Sequence, residues 1–363
     1  MNLRLKTVAS IQRTPSGKWA LRWKDPNTKK HHSKTFNRKI DARKFLHEIE
    51  STISDGSYIP AEHANVDTAA WVQQTLDVRT DLRAKTHDRT QGIISNYISP
   101  RWGGVPLADI RYMDVSQWVK ELTDKGLSPR TVKKIVQTLS AALREAVKDR
   151  RIHSNPCEGV RMPKAADPEK IFLTAKQVDA LADNTHDDRQ RVIVYTLAYL
   201  GLRWGELAGV RVQDFDCKKR RLTIRETLVE VNGKASIGAT KTGEARTVAV
   251  PKFLAVMLEE HIRNSGAEYR IFTAPRGGPL RVGNERRGWF DAAAEAIGVP
   301  GLHPHALRHT AASLAISAGA SVLAVQRLLG HASAAMTLDV YASLFDDDLD
   351  EVAKHLDKLY SKK

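Results

Sequence analysis

Arginine, lysine and histidine side chains recur in four short segments of the second half of the chain, and a tyrosine follows these segments. The segments cover residues 201–206, 240–246, 305–309 and 329–331, and Tyr341 follows the last one. Arginine suits a phosphate because its planar donors stay charged and can bind two oxygens at once. A tyrosine, whose ordinary pKa is about 10, needs nearby cations and a proton acceptor before it attacks phosphorus. Each segment alone is a weak signal, but together they favour phosphoryl transfer to a tyrosine.

The spacing within these segments indicates which side chains can share a site. His305 and Arg308 are three residues apart, so a helix that begins near Pro304 places both on one face. Arg203 and Arg308 are the expected phosphate ligands, since the charge that develops during the transfer needs preorganised donors. His305 is the expected proton acceptor of Tyr341.

The positive charge of the chain is concentrated at its N-terminal end. The net charge is +15, and residues 1–60 hold 13 Lys and Arg against 5 Asp and Glu, a difference of +8. Such a concentration predicts phosphate contacts and salt-dependent binding, because each neutralised phosphate releases condensed counterions. A merely soluble basic surface would not be confined to one segment. Double-stranded DNA is therefore the expected partner.

Composition also limits where the chain can act. The longest apolar run, residues 192–202, is well short of the ~20 residues that span a bilayer, and the N-terminus lacks a signal-peptide layout. Cys157 and Cys217 match no metal or disulfide spacing, which suits a reducing cytosol. We expect a cytoplasmic protein with no membrane partner.

The first predicted domain, residues 1–60, is a small sheet with one helix. Turn-rich segments separate three strands at residues 8–13, 18–24 and 31–36. In the second strand an apolar face alternates with a face that carries Arg22 and Lys24. A helix capped by Asn37 would cover the apolar face and leave Arg22 and Lys24 free to enter a DNA groove.

The second predicted domain, residues 66–155, is helical throughout. Its best-marked helix begins with Ser128 as the cap and Pro129 at the first helical position. The face of that helix opposite its apolar stripe carries Lys133 and Lys134, which are candidate DNA ligands.

The third predicted domain, residues 170–363, begins with a capping box at Thr174 and Gln177. It is mainly helical, with strands expected at residues 221–230 and 245–250 beside turn-prone dipeptides. The predicted fold class is therefore multidomain α+β. A small three-stranded sheet with one helix comes first, then an all-α domain, then a mainly α catalytic domain with a small β-sheet.

The order of the chemically active residues resembles that of one known family. In this sequence the ordered residues are Arg203, Lys241, His305, Arg308, His331 and Tyr341. This order, with its flanking residues, resembles the tyrosine recombinases, and most closely the three-domain, arm-site-binding phage integrases of temperate phages of actinobacteria. The resemblance covers the whole chain. It implies a site-specific recombinase that cleaves and rejoins DNA through a 3′-phosphotyrosyl intermediate, integrating and excising phage DNA.

The resemblance also implies a role for each matched residue. Arg203 and Arg308 match the two phosphate-binding arginines, and Tyr341 matches the nucleophile. His305 and His331 match the two histidines, of which His331 would donate a hydrogen bond to a phosphate oxygen. These residues form the predicted active site.

Two further positions match the family, and two depart from it. Lys241 matches the lysine of a hairpin and is the expected general acid for the departing 5′ oxygen. Glu206 matches an acidic residue that braces the site. Leu200 stands where threonine is common and Ala306 where an acidic residue is common, but neither position carries the chemistry.

The resemblance also implies partners. Residues 1–60 would bind arm-type DNA sites and residues 66–155 core-type sites, with the enzyme acting as a homotetramer on DNA in the bacterial host cell. A host integration factor and a phage excisionase would take part. No cofactor or metal is expected, because the phosphotyrosyl ester conserves the energy of the broken bond and the sequence has no Walker loop. The segment after Tyr341 could pack on a neighbouring subunit.

Other interpretations of the same residues compete with this one. Residues 306–319 and 321–329 imitate a helix-turn-helix, which would make the chain a transcription regulator, although residues 322–325 are apolar and suited to burial. A topoisomerase-like enzyme would share the nucleophile chemistry. His305 and His309 could be half of a zinc site, but a nearby arginine would repel the cation. Tyr360 is a second candidate nucleophile.

Overall fold

The computed structural model describes residues 9–26, 29–164, 170–231, 233–240, 243–345, 357 and 360. Contacts divide the chain into two compact units, Met1–Ala166 and Asp167–Lys363. In the described part of the first unit, one hydrophobic cluster lies under the N-terminal sheet and another among the helices that follow. Most of the segment predicted to pack on a neighbour, residues 346–356, 358–359 and 361–363, lies outside the described residues.

The chain begins with an antiparallel sheet in the order β1-β2-β3. The strands are β1 Ala9–Arg13, β2 Trp19–Lys24 and β3 His31–Phe36. Leu21 in the middle of β2 is fully buried, whereas Arg22 and Lys24 on the other face are exposed. The predicted alternation along this strand is confirmed, because the buried face has a helix to pack against.

That helix is α1, Lys39–Ser54, and its Ile49 packs into the same cluster as Leu21. Its N-cap is Arg38, which has an extended backbone and makes no side-chain capping hydrogen bond. The prediction of Asn37 as the cap is therefore wrong, since the helix starts one residue later than expected.

Helices form the rest of the first unit. They are α2 Ala61–Ala64, α3 Thr68–Asp77, α4 Ala84–Ile93, α5 Ser99–Trp102, α6 Tyr112–Asp124 and α7 Pro129–Lys148. A π-helical turn at Ile94–Ile98 joins α4 to α5. Ser128 caps α7 as predicted, with its hydroxyl accepting from the backbone N–H of Thr131 at 3.3 Å. The apolar stripe of α7 is buried in the helical cluster, so Lys133 and Lys134 are left on its exposed side.

α-Helices build most of the described part of the second unit. They are α8 Ala175–Asp183, α9 Asp188–Leu200, α10 Trp204–Leu207, α11 Lys252–Ser265, α12 Val282–Glu285, α13 Asp291–Ala296, α14 Pro304–Ser317, α15 Val322–Leu329 and α16 Ala334–Tyr341. The predicted capping box of α8 is confirmed, since Thr174 and Gln177 exchange hydrogen bonds of 3.3 Å and 2.9 Å. Helix α9 is buried on almost every side because α8, α11 and α14 pack around it.

The strands of this unit differ from the prediction. They are β4 Phe215–Asp216, β5 Arg221–Ile224, β6 Glu226–Val231, β7 Lys234–Ala239 and β8 Arg246–Ala249. β5 pairs with β4 and β8, whereas β6 pairs only with β7 in a separate hairpin. The single strand expected at 221–230 is thus broken at Arg225, where the hydrogen-bonding partner changes, and β7 was not predicted.

Helix α15 also departs from expectation in part. Val325 is buried, but Leu323 is 50% exposed and Ala324 is exposed too. The predicted burial of the whole segment 322–325 is therefore wrong.

Among the described residues, no helix combines the length and the apolar character that a bilayer-spanning segment needs.

Candidate active site

Helix α14 carries three of the chemically active side chains. Its N-terminus is capped by His303, whose Nδ1 accepts a hydrogen bond of 3.1 Å from the backbone N–H three residues on. Pro304 occupies the first helical position as predicted, where an N–H would have no partner within the helix. His305, Arg308 and His309 then project from successive turns of a helix whose other side lies in the core.

Arg308 is held by the ends of two other helices. Its side chain is only 3% exposed, and it donates to the carbonyl oxygens of Gly201 at 2.6 Å and Leu329 at 2.5 Å. These carbonyls end α9 and α15, where backbone acceptors lack partners within the helix and the helix dipole is negative. Burial and the charge of Arg203 lower the pKa of Arg308, yet a guanidinium stays charged at neutral pH. The fold therefore fixes one cation in the site.

Glu206 holds a second and a third arginine. It lies on α10, is 1% exposed, and accepts from Arg203 Nη1 at 2.8 Å and from Arg246 at 3.0 and 2.7 Å. Burial alone would raise the pKa of Glu206, but the hydrogen bonds and charge of Arg246, followed by those of Arg203, hold it at about 2. The carboxylate is thus charged at any physiological pH and fixes both guanidinium groups.

Glycine lets this short helix lie directly against a strand. A Cβ on Gly205 would stand 2.7 Å from the backbone oxygen of Leu228 in β6, so any larger residue would push α10 away. The helix that carries Glu206 depends on this close approach for its position.

Arg246 is part of the site, although sequence analysis gave it no role. Its Nε is buried without a hydrogen-bond partner among the described residues. Its side chain packs on Gly330, where an added Cβ would lie 2.7 Å from Cδ of Arg246, and Gly330 itself has φ +63. Its position at the end of the segment 240–246 was visible in the sequence, but its bidentate contact with Glu206 was not.

Tyr341 is the last residue of α16 and is almost completely buried. Its hydroxyl lies 2.8 Å from Nδ1 of His309. Phe172 packs near both rings, with a centroid distance of 6.3 Å to each. Burial raises the pKa of Tyr341 to about 12, against the opposing charge of Arg308. The nucleophile candidate is therefore a protonated phenol within the electrostatic reach of Arg308.

The remaining two predicted histidines face the same positive charges. Nδ1 of His331 lies 3.0 Å from the hydroxyl of Thr337, and burial together with Arg308 lowers the pKa of His331 to about 4. His305 is exposed at the surface. Partial loss of solvent around its ring, followed by the charges of His309 and Arg308, nevertheless lowers its pKa to about 4. Both histidines are neutral at pH 7.

The part of the chain that holds these residues matches a known family. A model of the phage integrase family matches residues 171–347. The chain is 27% identical over 341 residues to the integrase of Mycobacterium phage D29, a match that covers 90% of this chain and 89% of that protein. It is 28% identical over 320 residues to the integrase of Mycobacterium phage L5, with 84% of each protein covered. This part of the chain belongs to the phage integrase family of tyrosine recombinases.

Solved structures share the fold of this recombinase. The Tn1549 transposon integrase in complex with transposon right end DNA has a TM-score of 0.70 at 21% identity, covering 80% of this chain and 99% of that one. A lambda integrase dimer bound to a COC′ core site has a TM-score of 0.59 at 20% identity, covering 94% and 96%. The predicted multidomain α+β fold class is confirmed.

This recombinase is a site-specific enzyme that cleaves and rejoins DNA in phage integration and excision. The helix-turn-helix regulator and the topoisomerase-like enzyme are therefore set aside as descriptions of the chain. The resemblance of its motif order to the tyrosine recombinases is confirmed.

The structure brings most of the predicted site residues of the recombinase together. Beside burial, the charge of Arg203 lowers the pKa of Arg308, and both arginines lower the pKa of His331, so these three side chains lie close together. Glu206 links Arg203 to Arg246. Lys241 lies outside the described residues. Nearby, the Thr240 hydroxyl donates to the Glu244 carbonyl at 2.7 Å and so holds residues 240 and 244 together.

Sequence analysis missed the histidine that contacts Tyr341. His309 was considered only as half of a zinc site, whereas the expected proton acceptor was His305. In the described chain the hydroxyl of Tyr341 is hydrogen-bonded to His309 and to no other side chain. Tyr360, the alternative nucleophile, is 81% exposed. No group of three or more His, Cys, Asp or Glu among the described residues could hold a metal ion.

Proposed function

We propose that Tyr341 is the nucleophile of this recombinase and that Arg203, Arg308 and His331 bind the scissile phosphate. The observation that carries this proposal is the hydroxyl of the buried Tyr341, hydrogen-bonded to His309 at 2.8 Å and close to the charge of the buried Arg308. A phenol attacks phosphorus only where cations neutralise the phosphate and a base takes its proton. This surface of the second unit supplies both requirements.

The reaction is a direct displacement. The Tyr341 oxygen attacks phosphorus, the bond from phosphorus to the 5′ oxygen breaks, and the 3′ phosphate becomes linked to the tyrosine. Arg203 and Arg308 hold the phosphate oxygens as their charge rises, an interaction that typically contributes a factor of about 10²–10³ for each donor. Lys241 protonates the 5′ oxygen in this proposal, by analogy with the hairpin lysine of the family. The phosphotyrosyl ester keeps the bond energy, so rejoining needs no cofactor.

Two modules of the first unit are proposed to bind separate DNA sites. The exposed Arg22 and Lys24 on β2 favour groove contacts of the N-terminal sheet with arm-type sites. The exposed Lys133 and Lys134 on α7 favour backbone contacts with core-type sites. Two linked modules bind jointly with a high effective concentration at the second site.

The proposed assembly is a homotetramer on DNA in the cytoplasm of a bacterial host. A lambda integrase tetramer bound to a Holliday junction has the same fold, with a TM-score of 0.59 at 22% identity, covering 91% of this chain and 97% of that one. A host integration factor and an excisionase complete the proposal, on the basis of the resemblance to phage integrases.

The proposal is tested with a nicked duplex whose sequence around the nick is randomised. When cleavage occurs beside the nick, the short 5′-hydroxyl fragment diffuses away and the covalent adduct accumulates. We expect a protein-linked band on a denaturing gel with wild type, in the presence of a chelator, and none with Tyr341→Phe. Tyr360→Phe is the matched control and should retain the band. An adduct that survives Tyr341→Phe and disappears with Tyr360→Phe contradicts the assignment.

A further inference from the structure

The hydroxyl of Tyr341 contacts a histidine to which the motif order assigns no role. Nδ1 of His309 lies 2.8 Å from that oxygen. His309 directly follows Arg308, the proposed phosphate ligand, in the sequence. His305, the expected acceptor, lies one turn earlier, with its ring centroid 5.3 Å from that of His309. A proton acceptor must be within hydrogen-bond reach of the proton that it removes.

We propose that His309 accepts the proton of Tyr341 when the tyrosine attacks DNA and returns it when the strand is rejoined. The proposal rests on Tyr341 being the nucleophile, as argued above. It makes His309 a catalytic residue, because it touches the reacting oxygen, and it leaves His305 to act elsewhere in the site.

The chemistry of the two groups sets the direction of the hydrogen bond. A phenol is a good donor, and a neutral imidazole has one nitrogen with a free lone pair. The charged and titratable side chains that face His309 are Lys170, His303, His305, Arg308, His331 and Tyr341. Burial, followed by the charges of Lys170 and Arg308, lowers the pKa of His309 below its ordinary value of 6.5. At pH 7 the ring is therefore neutral, and Nδ1 can accept from the tyrosine if Nε2 carries the hydrogen.

Bound DNA strengthens this base. A phosphate diester beside Arg308 and Arg203 brings a negative charge that offsets part of their positive field. A negative charge nearby favours the imidazolium, so the affinity of His309 for a proton rises when the substrate is in place. The structure thus couples phosphate binding to activation of the nucleophile through Arg308, the immediate neighbour of His309 on α14.

Packing keeps the two rings in position. Phe172 meets His309 edge-on, with an interplanar angle of 83°, and also lies beside Tyr341. Lys170 donates to the backbone carbonyl of Val340 at 3.0 Å, which ties the same segment to the end of α16. The segment before α8 therefore clamps the base and the nucleophile together.

The proposed step is balanced. The Tyr341 O–H bond breaks and its proton moves to Nδ1 of His309, while the oxygen forms a bond to phosphorus and the bond to the 5′ oxygen breaks. The 5′ oxygen leaves as a hydroxyl after taking a proton from a separate acid. On rejoining, the 5′ hydroxyl gives its proton back to the conjugate base of that acid as its oxygen bonds to phosphorus. The phosphotyrosyl bond breaks, and the imidazolium of His309 returns its proton to the tyrosine oxygen.

The first test needs no DNA. Nitrogen-15 NMR of histidine-labelled full-length protein separates a protonated ring nitrogen from an unprotonated one, and His309→Asn identifies the signal. We expect Nδ1 of His309 to be unprotonated and Nε2 to be protonated at pH 7. A hydrogen on Nδ1 would overturn the proposal, because that nitrogen could not then accept from Tyr341.

The second test measures single-turnover adduct formation on the nicked randomised duplex from pH 5 to pH 9. Wild type should lose rate as the pH falls through the lowered pKa of His309. His309→Asn keeps a hydrogen-bonding atom at the δ position but cannot act as a base. We expect its rate at pH 7 to fall about a hundredfold. Its rate should then rise about tenfold per pH unit, because only the tyrosinate, which forms near pH 12, still reacts.

His305→Gln is the matched control and should keep the wild-type shape of the pH profile. The proposal is wrong if His309→Asn has the wild-type rate and profile, or if His305→Gln alone abolishes the acid limb. Far-UV circular dichroism and DNA retention establish that each variant is folded. Failure of the proposed function is distinguishable, since wild type would then form no adduct or Tyr341→Phe would still form one.

Discussion

Replacing Glu206 by glutamine should weaken the site and the fold of the second unit together. The carboxylate accepts three side-chain hydrogen bonds from Arg203 and Arg246 while only 1% exposed. Glutamine offers one oxygen in place of two and turns an NH₂ group toward a guanidinium. Two partly buried cations then lose their counter-charge, which is more costly than losing the hydrogen bonds alone.

The structure sets the magnitude of this effect. Burial alone would raise the pKa of Glu206, but the hydrogen bonds and charges of Arg246 and Arg203 together outweigh it and lower the pKa from an ordinary 4.5 to about 2. At about 1.4 kcal/mol per pKa unit, this shift corresponds to roughly 3 kcal/mol of folding free energy. Since the folded-state pKa is depressed, the contribution is complete above about pH 4.5 and is lost as the pH falls toward 2.

The assay is urea denaturation of the full chain, followed by hydrogen exchange of amides in the buried helix α9. At pH 7 we expect Glu206→Gln to unfold this helix with a free energy lower by about 3 kcal/mol. The matched control is Asp183→Asn, which breaks an exposed 3.2 Å ion pair with Arg191 and should cost less than about 1 kcal/mol. Below pH 4.5, wild type should lose stability more steeply than Glu206→Gln.

The reasoning is refuted if Glu206→Gln is as stable as Asp183→Asn at pH 7, or if both proteins show the same pH dependence between pH 5 and pH 3. Either result would mean that the arginines find other partners when the carboxylate is neutralised. Adduct formation is a second measurement. We expect it to slow in Glu206→Gln, because a displaced Arg203 can no longer bind the phosphate as proposed.

Two further changes test the space around Arg246 and the charge of the N-terminal sheet. Gly330→Ala should destabilise the second unit by about 1–3 kcal/mol beyond the strain at its positive φ, and it should slow adduct formation, because the new Cβ meets Arg246. The control Gly319→Ala is also at positive φ but in open space, so it should cost about 1 kcal/mol and leave the rate of adduct formation unchanged. Urea denaturation measures the stability of both variants, and the gel assay measures their rates. Arg22→Gln should lower the slope of log Kd against log salt by about one on duplex DNA, whereas an equal effect of the exposed control Lys219→Gln would argue against a specific contact of the sheet.

Local features of the chain were predictable where they depend on a few neighbouring residues. The caps at Ser128 and Thr174 satisfy backbone donors within the same turn, so their sequence signatures are sufficient. The same local logic failed at Asn37, where a neighbouring residue with extended backbone took the cap position. It also failed at Arg225, because the residues before it pair with β4 and β8 in one sheet, whereas the residues after it pair with β7 in a separate hairpin.

The sequence by itself determined the order of the chemically active residues, the helix that carries His305 and Arg308, and the positive charge of the N-terminal end. Those properties depend on residue identity and short-range spacing. Only the tertiary structure decided which of three histidines contacts Tyr341. His309 and Tyr341 are 32 residues apart in sequence, and they meet because the helices that carry them share a hydrophobic cluster. It also decided that Arg246 shares Glu206 with Arg203, because a buried carboxylate gathers whichever cations the fold brings within hydrogen-bond distance.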